Sequence, residues 1–236
     1  MNALPLSAGI IGRQPEGGVI LFGEIITYFA DNGGEYMTAL GEHLLITASA
    51  VLVACAIGIP AGILCCKNRV VRTFVTGIFS TLRIVPSLAV LFLCISLIGT
   101  GLWPAVVALT LLAIPPLLIN TTLGFSGIDP AVIETAHGMG MGRTRTFWQV
   151  KLPLALPLVF TGFKTATIEV IASATLGAYI GAGGLGTIIY TGLGLMRNDL
   201  LVIGGASVAA LSIISGLIIS RAEQLVLPWR NVHQVG

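Results

Sequence analysis

Charge is what this sequence most lacks. Lys and Arg number 12 and Asp and Glu 10 among 236 residues, 9% together, against about 25% in ordinary soluble domains. So few charges cannot cover a water-facing globule, while 55% of the residues are hydrophobic and the mean hydropathy is +0.97. The chain belongs in lipid. A formal net charge of only +2 gives no reason to invoke nucleic acid as a partner. Cysteine is scarce too: Cys55, Cys65, Cys66 and Cys94 lie in or at the ends of apolar runs, without C-x-x-C spacing, and read as small apolar filler. His43, His137 and His233 are scattered without ligand spacing, so no metal site is expected. The sequence has no G-x-x-x-x-G-K-S/T, no G-x-S-x-G and no H-E-x-x-H. Their absence removes a phosphate-cradling loop and two common hydrolase chemistries. Gly181, Gly183 and Gly186 satisfy G-x-G-x-x-G, but an apolar helix precedes them where a dinucleotide site needs a strand, and Asp199 comes too early. They read instead as a helix end that can bend. The N-terminus lacks a basic stretch followed directly by an apolar core, so the chain's own apolar segments are expected to direct insertion.

Apolar length is what the sequence has. About 20 apolar residues cross the hydrocarbon core as a helix, and five stretches reach that length: Leu44–Cys66, Phe74–Ile98, Leu102–Phe125, Leu154–Ala182 and Leu200–Ser220. Val19–Phe29 is too short and carries Glu24, so it is expected to be an interfacial or re-entrant helix, with a sixth span as the alternative. The organisation expected is an extracytoplasmic segment at 1–41, a transmembrane domain at 42–222 and a tail at 223–236. Pro60, Pro86 and Pro115–Pro116 fall inside spans, where prolines kink helices whose freed carbonyls find other partners. Gly58 with Gly62, and Gly177 with Gly181, have the small-xxx-small spacing of close helix contacts.

Lys and Arg placement sets orientation. With five spans, Lys67, Arg69, Arg72, Arg143, Arg145, Lys151, Arg221 and Arg230 fall on one side, and only Arg13 and Arg197 on the other. That other side also carries Glu16, Glu24, Asp31, Glu35 and Glu42. The expectation is an N-terminus outside, a C-terminus in the cytoplasm and a cytoplasmic loop at 126–151.

That loop carries the most specific pattern. Asp129 is a good N-cap, Pro130 a good first helical residue, and glycines 138, 140 and 142 can end the helix. The spacing predicts a helix over Pro130–Gly138, with Val132, Ile133 and Ala136 as an apolar stripe beside Glu134. A short surface helix of this kind is built to dock. Glu134 and Ala136, Gly140 six residues after Glu134, then Val150, Leu152 and Pro153 resemble the EAA loop of binding-protein-dependent ABC importers. Thr135 and Val150 depart from its usual Ala and Ile. "IGIPAGIL" (57–64), "IVPSLAVLF" (84–92) and "GFKTATIEVIASATLGAYIGAGGLG" (162–186) stand in the order seen in osmoprotectant uptake permeases, so the resemblance covers roughly residues 40–222.

The resemblance implies an all-α integral membrane fold like that of methionine-importer permeases, a type I ABC importer. Asp129, Pro130, Ile133, Glu134, Ala136, Gly140, Val150, Leu152 and Pro153 would then couple the chain to an ATPase. It implies two copies of an ATP-binding subunit, which hold ATP and Mg, and a second permease subunit, the same chain or a related one. No cofactor is expected in this chain. Only 16 residues follow Ser220, so the extracytoplasmic substrate-binding protein is expected to be separate. The substrates implied are glycine betaine, carnitine and choline. Another small polar solute, or a secondary transporter without an ATPase, is the alternative.

Charges within spans cost at least about 2.5–3.5 kcal/mol each at a helix centre, so they need a reason. Lys164 lies near enough to an end to snorkel. Glu169 sits deeper, and two uses stay open: contact with a substrate cation, or an ion pair with a base such as Arg83. Arg83, Pro86, Ser87, Asn120 and Glu169 form the candidate pathway.

Overall fold

The computed structural model describes residues 17–227, with side chains from Gly23 onward. Among these residues all regular structure is helical. In chain order the helices are α1 (Gly17–Cys65), α2 (Arg69–Leu82), α3 (Ser87–Ile98), α4 (Leu102–Ser126), α5 (Pro130–Gly138), α6 (Arg143–Thr146), α7 (Leu152–Gly177), α8 (Gly186–Leu195) and α9 (Asn198–Val226). A π-turn, Phe147–Lys151, joins α6 to α7, and a 3-10 turn, Ala178–Ile180, ends the rod. Four stretches are long and apolar enough to cross a membrane: Gly23–Cys65, Leu102–Ser126, Arg143–Ile180 and Asn198–Val226. The bent pair α2–α3 makes a fifth.

Helix α4 is the centre of the bundle. Leu109, Pro115, Pro116, Leu117 and Leu118 are all buried, and α1 and α7 make the most extensive contacts with it. Removal of side chains lets these helices meet. A Cβ on Gly58 would lie 3.1 Å from that of Leu117, and one on Gly62 only 2.7 Å from that of Thr121. On the other flank a Cβ at Gly162 would come within 2.9 Å of both Asn120 and the Pro116 carbonyl oxygen. Thr110 Oγ1 donates to the Ala50 carbonyl at 3.4 Å and Thr122 Oγ1 to that of Gly62 at 3.2 Å, so α1 and α4 run parallel. The Gly101 N–H donates to the Ile180 carbonyl at 2.9 Å, while Gly124 abuts Ala155, so α7 runs antiparallel to α4.

This topology gathers Lys67, Arg69, Arg72, Arg143, Arg145, Lys151 and Arg221 at the end of the bundle that carries α5. Arg197 lies at the opposite end with Glu24, Asp31, Glu35 and Glu42; Arg13, Glu16, Arg230 and His233 fall outside the described residues.

Several boundaries differ from the sequence reading. Val19–Phe29 lies in the first part of α1, which is a helix of its own that meets the first span across a kink at Asn32 (φ −120°, ψ 19°). No proline interrupts 17–59, and Ile25, Tyr28, Tyr36 and Leu40 pack against a buried cluster that includes Ile171, Leu185, Leu200 and Ile203. At the second span the kink becomes a break of 91° between α2 and α3. Pro86 lacks an N–H and drives the residue before it out of helical geometry. Of the pair Gly177–Gly181 only Gly177 meets another helix, a Cβ there lying 3.6 Å from that of Ala105 on α4, whereas Gly181 has φ +79° and ends the rod. Helix α8 escaped the sequence reading because ten residues are too few for a span.

Gly186, at the start of α8, is the tightest of these contacts. An added Cβ would overlap the Thr175 carbonyl oxygen and lie 2.8 Å from Ala178 Cβ. Overpacking of this kind costs about 1–3 kcal/mol. Gly186→Ala is therefore expected to lower the thermal midpoint of the purified protein. Gly205→Ala, with nothing within 4 Å of the new methyl group, should not lower it.

Candidate functional site

The expected residues fall into two groups at different depths of the bundle. The first is the loop helix. Asp129 Oδ1 accepts the Ala131 N–H at 2.9 Å, and Pro130 opens α5 where no intrahelical donor is needed. The helix ends as its glycines dictate. Met139 N–H donates to the Thr135 carbonyl, Gly140 N–H donates to that of His137 at 2.9 Å, and Gly140 takes φ +81°. A left-handed φ at this position favours glycine over any residue with a Cβ.

Glu134 is exposed, Val132 is 42% exposed and Ile133 is half-buried. Ala136 is turned into its own chain, at 2% exposure, so the close approach it permits is made within the loop. Helix α5 rests on α6 and the π-turn. Met139 and Trp148, 66% and 62% exposed, add apolar surface to the same segment. Both escaped the sequence reading, because neither falls on the helical stripe.

Val150, Leu152 and Pro153 are half-buried at the root of α7. Their spacing has a structural reason. Pro153 cannot donate to the Gln149 carbonyl, and its ring would crowd that carbonyl in a regular helix. The backbone widens instead, with the Leu152 N–H reaching back to the Phe147 carbonyl. Phe147 is pinned there, stacked on Phe125 with ring centroids 5.8 Å apart. The loop thus feeds a single rod, residues 143–180, through a widened turn.

The second group centres on Glu169 of that rod. Arg83 caps α2 at the break, and its Nη2 donates to Glu169 Oε1 at 2.5 Å. Both side chains are partly exposed, 42% and 38%. Pro86 and Ser87 close the same break, with Ile84 79% exposed beside them. Asn120 stands apart, its Nδ2 donating to the Pro116 carbonyl of its own helix at 2.8 Å. Lys164 points elsewhere, with Nζ donating to Ser220 Oγ on α9 at 2.8 Å.

The far end of the bundle holds contacts that no motif announced. Glu42 Oε2 accepts the Gly184 N–H at 2.8 Å, and Gly183 and Gly184 both have positive φ. His43 is fully buried, and its Nε2 lies 3.0 Å from the Ile171 carbonyl oxygen. Arg197 grips Asp199 through two bonds, Nε to Oδ1 at 3.2 Å and Nη2 to Oδ2 at 2.5 Å, and Asp199 is 2% exposed. Among the described residues no group of His, Cys, Asp or Glu is placed to hold a metal ion.

Comparison with known proteins agrees with this architecture. Residues 58–230 match the model of the family described as binding-protein-dependent transport system inner membrane component. The carnitine transport permease protein OpuCB of Listeria monocytogenes is 38% identical over 204 residues, 86% of this chain and 94% of the relative. The glycine betaine/carnitine/choline transport system permease protein OpuCB of Bacillus subtilis (strain 168) is 35% identical, over 87% of this chain and 94% of the relative. Among solved structures, an inward-facing form of the MetNI methionine ABC transporter superposes with a TM-score of 0.68 at 25% identity, covering 81% of this chain and 95% of that one. An amino acid ABC transporter with histidines gives 0.62 at 18% identity, a likeness of fold.

Proposed function

The chain belongs to the family of binding-protein-dependent transport system inner membrane components, and from that premise we propose that α5 couples it to a separate ATPase that drives import of quaternary amines. It is a multi-pass permease subunit of an ABC importer. The observation that carries the reading is the form of the loop: a capped nine-residue helix, set outside the spans, with Glu134 and Val132 exposed. Through the π-turn it is continuous with the rod that bears Glu169.

In this reading Asp129 and Pro130 start the coupling helix, while Ile133 and Glu134 meet a groove on the ATPase. Ala136 seats α5 on its own loop. Gly140 turns the chain out of the groove, and Val150, Leu152 and Pro153 anchor the rod. Seven basic residues at the α5 end favour a cytoplasmic position for it, with the N-terminus outside. Two ATPase copies, which bind ATP and Mg, would then work on two permease subunits, and a substrate-binding protein would dock at the Glu42 end. Closure of the ATPases on ATP moves α5, α5 tilts the rod, and the pathway beside Arg83, Pro86, Ser87 and Glu169 opens to alternate sides. The relatives' names give carnitine, glycine betaine and choline as substrates of those proteins, and the same class is proposed here.

The test is uptake in proteoliposomes that contain the chain, its ATPase and its binding protein. Accumulation of glycine betaine, carnitine or choline is expected only with ATP inside the compartment that α5 faces and with binding protein on the other side. Accumulation driven by an ion gradient without ATP would instead mark a secondary transporter.

A further inference from the structure

Two ion pairs among the described residues, Arg83–Glu169 and Arg197–Asp199, are built differently, and the difference points to a ligand. Arg197–Asp199 is bidentate, with an aspartate almost wholly buried. That is the form of a structural clamp. Arg83–Glu169 is a single contact, Nη2 to Oε1, between side chains 42% and 38% exposed. Glu169 Oε2 and the remaining guanidinium donors have no hydrogen-bond partner among the described residues. Lys164 donates to Ser220 and Asn120 to the Pro116 carbonyl, so neither is bonded to the pair. An opposed pair of charges, each with spare capacity, therefore faces outward from the rod at the α2–α3 break.

We infer that the Arg83–Glu169 pair is a site for small zwitterions that carry a quaternary ammonium and a carboxylate. The inference rests on the transport reading above and names the substrate class of its pathway. A quaternary ammonium has no N–H, so it meets Glu169 Oε2 by charge alone and leaves the bond between Oε1 and Arg83 in place. The free edge of the guanidinium has the fork geometry that receives a carboxylate through two hydrogen bonds. The filled site is then electrically balanced: two positive groups and two negative ones. A cation without a carboxylate, such as choline, brings a second positive charge beside Arg83 with nothing to offset it. Like charges at this separation repel one another. Choline is therefore disfavoured where glycine betaine or carnitine fits.

Equilibrium binding of radiolabelled glycine betaine and choline to the assembled transporter in nanodiscs, without binding protein, tests this. The wild type is expected to hold glycine betaine at least about tenfold tighter than choline, a difference of about 1.4 kcal/mol. Arg83→Gln should remove that preference by weakening glycine betaine about tenfold while choline binding holds or improves. Arg83→Lys, which keeps the charge but loses the fork, should retain part of the preference. Equal binding of the two compounds by the wild type overturns the site, and this arm needs no variant to fold. So does an Arg83→Gln variant that weakens both compounds alike, since that is the behaviour of a purely structural bridge. ATP-driven uptake on the same preparations separates the two readings. Uptake without a zwitterion preference in binding sinks this site alone, whereas absence of ATP-driven uptake of every quaternary amine sinks the transport reading beneath it.

Discussion

Glu134→Lys is expected to abolish uptake while the protein still inserts, folds and reaches the membrane at its normal level. Glu134 is exposed in the middle of α5, and no hydrogen bond or ion pair holds it among the described residues. The features that form the helix lie elsewhere: the Asp129 cap, Pro130 and the buried Ala136. A change at Glu134 therefore spends nothing of the chain's own stability, and its cost falls on the partner. Truncating one member of a desolvated charge pair at an interface costs about 2–5 kcal/mol, and reversal adds repulsion to that loss. Retention of the ATPase on the affinity-purified permease should fall on the order of a hundredfold. Gel quantification of the co-purified ATPase, with membrane level as the control, checks it. Normal retention with normal uptake would remove Glu134 from the coupling surface.

Glu169→Gln is expected to have the next largest effect, and at a different step. Gln can still accept a hydrogen bond from Arg83, so the α2–α3 break keeps a contact to the rod. What disappears is the negative charge that pairs with Arg83 among the described residues. The site becomes net positive, and any ligand that brings a cation is repelled. Because both side chains are partly exposed, the bridge itself contributes little to stability. Assembly with the ATPase should hold while uptake falls on the order of tenfold to a hundredfold. Initial rates in proteoliposomes at saturating binding protein measure it. Unchanged rates would show that Glu169 lies off the pathway.

The two predictions depend on segments that were legible to different degrees. Leu102–Ser126 and Pro130–Gly138 could be read almost to the residue, because their signals are local. The first is an unbroken apolar run, and the second an Asp-Pro start followed by closely spaced glycines. The glycine contacts of α1 with α4 were also legible at Gly58 and Gly62. Features set by packing were not. Nothing local says that the chain resumes as a helix at once after the kink at Asn32, where Tyr36 and Leu40 pack on the cluster that includes Ile171, Leu200 and Ile203. Tyr36 adds a hydrogen bond to Ser207 on α9, at 2.9 Å and across 171 positions. Pro86 announced a kink but not a 91° break, whose angle depends on where α2 and α3 find their neighbours.

The candidate site divides in the same way. The motif at 134–153 marked the coupling loop, yet it did not show that Ala136 packs inward, nor that Pro153 is accommodated by a π-turn. Arg83 and Glu169 stood out because charge is rare within spans, and the sequence left open whether they pair. The structure brings them together across 86 positions and leaves each with capacity to spare. Glu42, His43 and Gly184 carried no recognisable pattern. Their meeting depends on the left-handed turn at Gly183–Gly184, which only the folded chain displays.

The most direct measurement is photo-crosslinking in native membranes from residue 132 on α5, with residue 197 at the opposite end as its counterpart. A P-loop ATPase captured from position 132, in amounts that change when ATP is supplied, and not from position 197, is the result this account predicts. Capture from 197 instead, or a 132 probe that reaches only lipid and its own chain, would contradict it.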